Sequence, residues 1–390
     1  MKNKIIVIAR SIPSHNSGGL EIVTWDMCEG LARSGSDIEL VTTKLPTNSE
    51  IVNSSKIKIV ELDNTKVGKY SYSWWKGVSR YIDSKNEENI QAVISVSAAG
   101  YSGLKHKKKL KETKFIMQAH GTSLDEFKTK IRSGSFVRIL KSIKNAYWLI
   151  KDIYFYRKFD YIIGIGDTVI DSLKNRPYDF FIDSDKLVKI ENGIDDQLFA
   201  FDINERERTR HLLGITSNTS VIISVSRLHE QKGIDNNLNT LSVINKKYPN
   251  LKLKYIIVGD GREMSKLQKM AFDLGIDDVV LFVGDKKREE IASLLNASDL
   301  FLFLTKRIEG LPLNVLEAQC SGLPMVISKH LLFNECEKVS KVEYDDFSLA
   351  TELVVKALSN STQNVRQGYI SEINKLSYST SSYLDLINRV

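Results

Sequence analysis

The chain has 390 residues, 42% of them hydrophobic and 26% charged, and its 55 Lys and Arg against 48 Asp and Glu give a net charge of +7. That length suits two domains with a core each, and the composition is that of a soluble globular protein rather than a disordered or fibrous one. No uncharged apolar run approaches the roughly 18 residues of a membrane-spanning helix, and Cys28, Cys320 and Cys336 are too few and too unpatterned for a disulfide framework or a zinc site.

From the N-terminus, "MKNKIIVIAR" offers only Ile5 to Ala9 as an apolar stretch before Arg10, too short for a signal peptide and read as a first buried strand over 4–9. The loop "SIPSHNSGGLE" follows, and Gly18-Gly19 opens the expected helix "GLEIVTWDMCEGLARSG". Two glycines there let a ligand approach the backbone, or simply make a tight turn. Further strands are expected at 37–42, 57–61, 91–96, 114–119 and 160–165, with His120-Gly121 leaving the strand that ends at Ala119.

Residues 101–160 carry fifteen Lys and Arg against five acids, an excess larger than that of the whole chain. There "RILKSIKNAYWLIKDIYFYRK" mixes cations with Tyr147, Trp148, Tyr154 and Tyr156. This suits either an anionic membrane surface or a solvated face, and no nucleic-acid recognition motif accompanies it. Asp183-Ser184-Asp185 imitates a metal-binding Asp-x-Asp but precedes "KLVKIENGID", where Asn192-Gly193 marks a polar interdomain turn.

A second series of apolar runs begins at 220–227 and continues at 253–259, 279–284, 299–305 and 324–328. Strands alternating with helices in both halves predict two α/β, Rossmann-like domains with parallel sheets, whose ligands bind beyond the carboxyl ends of the strands. Arg227 ends the strand "SVIISVSR", and Lys232 follows five positions later. Gly259-Asp260-Gly261, after the next strand, is either a ligand contact or a β-to-α turn. In "RIEGLPLNVLEA" (307–318), Glu309 and Glu317 stand eight positions apart around Gly310-Leu311-Pro312, with a helix expected from 312 to 320. A helix N-terminus favours an anion, so carboxylates beside one call for a ligand with both phosphate and hydroxyls. A nucleotide sugar has both.

Together, Gly18-Gly19-Leu20-Glu21, His120-Gly121, Asn192-Gly193-Ile194-Asp195, Arg227 with Lys232-Gly233, Gly259-Asp260-Gly261 and the segment from Glu309 to Glu317 resemble glycosyltransferase family 4 over nearly the full length. The resemblance implies a GT-B fold, with Rossmann-like domains over 1–195 (acceptor) and 196–375 (donor) facing across a cleft. It also implies a last helix, within 376–390, returning to the first domain. By the same resemblance Arg227 and Lys232 hold the donor diphosphate, and Gly18 and Gly19 lie against that phosphate or the acceptor. Glu309 holds the transferred sugar, with the backbone of Gly310, Leu311 and Leu313 near the phosphates and Gly259 beside the donor. Glu317 holds the ribose, and His120 sits at the reacting centre. "TKRIEGLP" departs from the family's usual Ser-Pro before and Phe-Gly after the first glutamate, which leaves the sugar identity open; Lys306 and Arg307 add phosphate contacts or form a rim.

The implied reaction is retaining transfer of a hexose, without cofactor or metal, from a nucleotide-sugar co-substrate to a lipid-linked surface glycan, with UDP the expected base and the cytoplasm the expected location. The alternatives are a sugar-nucleotide epimerase of the same fold and an inactive nucleotide-sugar-binding subunit. A nicotinamide dehydrogenase is excluded by the missing Gly-x-Gly-x-x-Gly after the first strand, and a P-loop enzyme by the missing Gly-Lys-Ser/Thr.

Overall fold

The computed structural model describes residues 4–16, 18–47, 56–85, 89–124, 147–307, 311–333, 336–360 and 366–389. Glu309, Gly310 and part of the basic stretch, 125–146, lie outside them. The chain divides into two compact units, 1–194 with 372–390, and 195–371.

The first unit is built on seven strands: β1 (Lys4–Ile8), β2 (Asp37–Thr43), β3 (Ile57–Leu62), β4 (Ile90–Val96), β5 (Lys114–Ala119), β6 (Tyr161–Gly164) and β7 (Leu187–Lys189). They pair in parallel in the order β3-β2-β1-β4-β5-β6-β7. The second unit repeats the plan with β8 (Ser220–Val225), β9 (Leu253–Val258), β10 (Val280–Gly284), β11 (Leu300–Phe303), β12 (Met325–Ser328) and β13 (Val339–Val342). Their order is β10-β9-β8-β11-β12-β13, again parallel. In each sheet the strand order reverses beside the first strand of the series, the place where open α/β sheets take ligands.

A parallel sheet is covered on both faces, which is why its strands read as unbroken apolar runs. In β1, Ile6 and Ile8 enter one core with Trp74 and Val78, while Ile5 and Val7 enter the other with Leu31 of the helix Gly19–Arg33. That second core is closed by Tyr383, Leu386 and Ile387 of the last helix, Leu376–Asn388. Burying three such side chains contributes roughly 5 to 9 kcal/mol, which holds the C-terminal segment to the first unit.

Two strands escaped the sequence reading. β7 and β13 are edge strands of three and four residues with half-buried positions, so they lack the continuous apolar run that marks the others. The helix expected from Pro312 starts at Leu313; Pro312 is its N-cap, with extended backbone (φ −68°, ψ 127°).

In the second unit, Asp299 lies between Arg206 (2.5 Å) and Arg210 (3.3 Å), all three buried. The same guanidinium groups donate to the carbonyls of Asn296, Ala297 and Ser298, the end of the helix Arg288–Ala297. The cluster therefore joins the helix Ile203–Leu212 to the start of β11.

Candidate functional site

In the second unit the loops after β8 and β11 diverge at the strand-order reversal, and several contacts lock them together. The Asn237 amide accepts from Leu304 N (3.2 Å) and donates to Ser224 Oγ (3.0 Å), while Asn236 Nδ2 donates to Leu304 O (3.0 Å). The Gln231 carbonyl accepts from Lys306 N and Thr305 Oγ1, both at 3.0 Å. Gly233 is left-handed (φ 69°), and a Cβ there would stand 1.8 Å from Leu304 O, so only glycine permits this approach.

These contacts place the two cations. The Lys232 ammonium lies 5.7 Å from the Phe303 ring centroid, over the end of β11. Arg227 is exposed, and its guanidinium has no hydrogen-bond or ion-pair partner among the described residues. Gly259 supports the same loop from β9. Its φ is 122°, and a Cβ would stand 2.0 Å from Ser226 O, the residue before Arg227. Leu228 N then donates to Asp260 O at 2.9 Å.

Asn314 Nδ2 donates to the Val225 carbonyl at 2.7 Å, pinning the first turn of the helix Leu313–Cys320 to the end of β8, two residues from Arg227. Leu311 and Leu313 are half-buried there, and no side chain caps the helix N-terminus. The first turn thus stands beside the strand end that carries Arg227, with Val315 N taken by Asn314 Oδ1 at 3.0 Å and by Pro312 O at 3.1 Å. Lys306 is engaged with Asp235 at 2.5 Å, while Arg307 is exposed.

Glu317 is buried in the fifth position of this helix, with Oε1 at 3.8 Å from Arg288 Nη2. The Arg288 guanidinium in turn lies 5.1 Å from the Phe199 ring centroid. Within its own helix Glu317 has only Leu313 and Ser321 four positions away, so a cation from another helix was not visible in the sequence.

In the first unit, Gly18 is the N-cap of the helix Gly19–Arg33 without a capping side chain, and Gly19 is exposed. Glu21 turns inward, where it accepts from Ser11 Oγ at 2.6 Å and closes the loop after β1. His120 leaves β5 half-buried, with Nε2 3.0 Å from Gln118 Oε1. Gln118 Nε2 donates to the Tyr383 hydroxyl of the last helix at 2.7 Å. Burial lowers the His120 imidazole to about 4. The ring is therefore neutral near pH 7, and with Nε2–H given to Gln118 its Nδ1 is an acceptor. Gln118 and Tyr383 were missed in the sequence, where the only signal was a polar residue inside the apolar run "KFIMQA".

Asp183 caps the short turn Ser184–Lys186 that leads into β7, accepting from Asp185 N at 3.2 Å. Both carboxylates are exposed at the amino end of β7, opposite the edge from which His120 departs.

The sequence profile described as Glycosyltransferase Family 4 matches residues 17–198, and that described as Glycosyl transferases group 1 matches 205–348. The chain is 34% identical over 181 residues to the UDP-Gal:alpha-D-GlcNAc-diphosphoundecaprenol alpha-1,3-galactosyltransferase of Escherichia coli, over 43% of this chain and 42% of that protein. It is 32% identical over 143 residues to the GDP-mannose-dependent alpha-(1-6)-phosphatidylinositol monomannoside mannosyltransferase of Mycolicibacterium smegmatis, over 35% of this chain and 37% of that one. The chain thus spans about two-fifths of the length of these curated relatives. The crystal structure of Anabaena HepE in complex with UDP and glucose superposes with a TM-score of 0.72 at 14% identity, covering 100% of both chains. With two parallel-sheet Rossmann-like units, profiles matching both, and GT-B glycosyltransferases as structural neighbours, the chain belongs to glycosyltransferase family 4.

Proposed function

We propose that the protein is a retaining hexosyltransferase that uses a UDP-sugar, without metal, to extend a lipid-linked glycan in surface polysaccharide assembly. The observation that carries this reading is the pair Arg227 and Lys232 in the loop at the strand-order reversal, with the first turn of the helix Leu313–Cys320 pinned to the end of the same strand. Two cations beside a departing diphosphate stabilise the charge that grows there in the transition state. Glu317, held by Arg288, serves the ribose; Glu309 serves the transferred sugar, and His120 supplies a neutral imidazole. The bond between the anomeric carbon and the phosphate oxygen breaks, the acceptor oxygen bonds on the same face, and the acceptor proton goes to the departing phosphate. UDP is favoured by the ligand of HepE, and a lipid-linked acceptor by the names of the Escherichia coli and Mycolicibacterium relatives.

The test is a panel of UDP-, GDP- and ADP-sugars in excess EDTA, run on the wild type, Glu309→Gln and Glu317→Gln. Glu309→Gln removes a contact that strengthens in the transition state, so kcat falls about 30- to 1000-fold, equivalent to roughly 2 to 4 kcal/mol, with UDP affinity kept. Glu317→Gln weakens UDP itself and raises donor KM. The reverse pattern means that the two roles are exchanged. Absence of wild-type turnover, or turnover only with added magnesium or manganese, rejects the corresponding part of the proposal.

A further inference from the structure

The first unit carries an aromatic wall that the proposed donor chemistry does not use. Tyr70 stacks on Trp75 (centroids 5.1 Å, 18°), Trp75 on buried Tyr101 (6.4 Å, 17°), and Tyr70 tilts against Trp148 (5.9 Å). The inner end of the wall is fixed. Tyr101 donates to Asp152 Oδ1 at 2.7 Å and belongs to the unit's core, against which Tyr70, Trp75 and Trp148 pack half-buried. The outer end opens to solvent at Tyr147, which is 57% exposed and sits against Trp148 at 6.4 Å.

Two cations lie on this wall. The Arg10 guanidinium, just past β1, is 5.0 Å from the Tyr70 centroid, and the Lys151 ammonium is 4.7 and 5.1 Å from those of Tyr147 and Trp148. Neither cation has a carboxylate partner among the described residues. Arg10 follows the carboxyl end of β1, and Tyr70 lies in the connection that follows β3, so both belong to the sheet edge from which His120 departs.

Resting on the reading of the protein as a transferase to lipid-linked glycans, we propose that this wall is the acceptor subsite for a polyprenyl diphosphate. Arg10 and Lys151 take the phosphate oxygens, and the rings take the first isoprene units. Three features favour this occupant over a neutral glycan. Among the described residues neither cation pairs with a carboxylate, so both can take phosphate oxygens. The rings are pre-ordered by the core, so an apolar chain gains contact without ordering cost. The surface continues outward along one helical face through Ile150, 69% exposed, to Tyr154, 47% exposed, on whose ring Lys158 (3.6 Å) and Arg157 (5.2 Å) lie, an apolar step followed by a basic rim such as a chain leaving the site toward an anionic bilayer would meet.

The probe is farnesyl diphosphate, followed through the emission of Trp75 and Trp148, with farnesol, inorganic pyrophosphate and phosphatidylglycerol vesicles as the other arms. A saturable change is expected with farnesyl diphosphate, at least tenfold weaker with farnesol or pyrophosphate alone. In the double variant Arg10→Ala/Lys151→Ala it weakens at least tenfold, while the far-UV circular dichroism and the calorimetric unfolding profile stay those of the wild type and show that the first unit is intact. Equal affinity of wild type and double variant, no saturable change with the probe, or a change only with vesicles overturns the subsite. Failure of the function reading is distinct: the wild type would not be stabilised by UDP or turn over any donor, whatever the farnesyl probe does.

Discussion

Replacing Gly233 by alanine tests whether the loop after β8 holds Lys232 for the donor. At φ 69° an L-residue costs about 1 to 2 kcal/mol. A Cβ would also meet Leu304 O at 1.8 Å, whereas real Cβ contacts stay above 3.0 Å, so something must yield by at least 3.0 − 1.8 = 1.2 Å. The Leu304 carbonyl, one residue past β11, is held by Asn236, so the displacement falls on the loop that carries Lys232. A shift of about 1 Å at a positioning group costs up to roughly 100-fold in rate. Loss of one charged contact costs about 1.5 to 3 kcal/mol of UDP affinity. Gly275→Ala is the matched control, because Gly275 has nearly the same φ (67°) with nothing within 4 Å of the added carbon. Calorimetric UDP titration and donor turnover should show both variants destabilised by the backbone term, but only Gly233→Ala losing about tenfold or more in UDP affinity. If Gly233→Ala binds UDP within twofold of Gly275→Ala, the loop does not position Lys232 for a diphosphate.

Asp299→Asn leaves Arg206 and Arg210 buried side by side without their shared counter-charge. It should cost about 3 to 5 kcal/mol, seen in scanning calorimetry as a fall of roughly 6 to 20 °C in Tm of the second unit; a loss under about 1 kcal/mol would mean that the helix-end carbonyls alone satisfy both guanidinium groups. For His120 the folded imidazole, lowered by burial to about 4, protonates after the unfolded one, whose ordinary value is 6.5. The unfolded chain thus binds the proton first, so His120 contributes stability that is complete above the unfolded value and is lost as pH falls toward 4. A ring-proton titration by NMR should find it neutral from pH 8 to about 5.5, and a midpoint near the ordinary value would refute its burial.

How much of this was legible in the sequence follows from what each feature depends on. A strand buried on both faces must be apolar at every position, so β1, β8 and β11 announce themselves as "KIIVI", "SVIISV" and "LFLF". β7 and β13, short and half-exposed at sheet edges, need no such run and leave no signal. Parallel pairing then sends every carboxyl end to one edge. A residue's offset from the end of its strand is therefore enough to place Arg227, Lys232 and His120 at the ligand-binding side, each within its own unit. Partners through space obey no such offset. Arg288 reaches Glu317 from another helix, and Tyr383 reaches Gln118 across 265 residues. The chemistry these partners govern was accordingly hidden: how firmly the carboxylate is held, and which nitrogen of His120 carries the proton. The Arg10–Tyr70–Trp148–Lys151 wall lies between these cases. Trp148 and Lys151 were visible as part of a basic, aromatic region, whereas Arg10 and Tyr70 lie outside it in the sequence, and only the packing shows two cations resting on the same run of rings and pairing with no carboxylate among the described residues. That distinction separates a solvated face, whose charges are balanced by water and neighbouring acids, from a surface that an anionic, apolar ligand would complete.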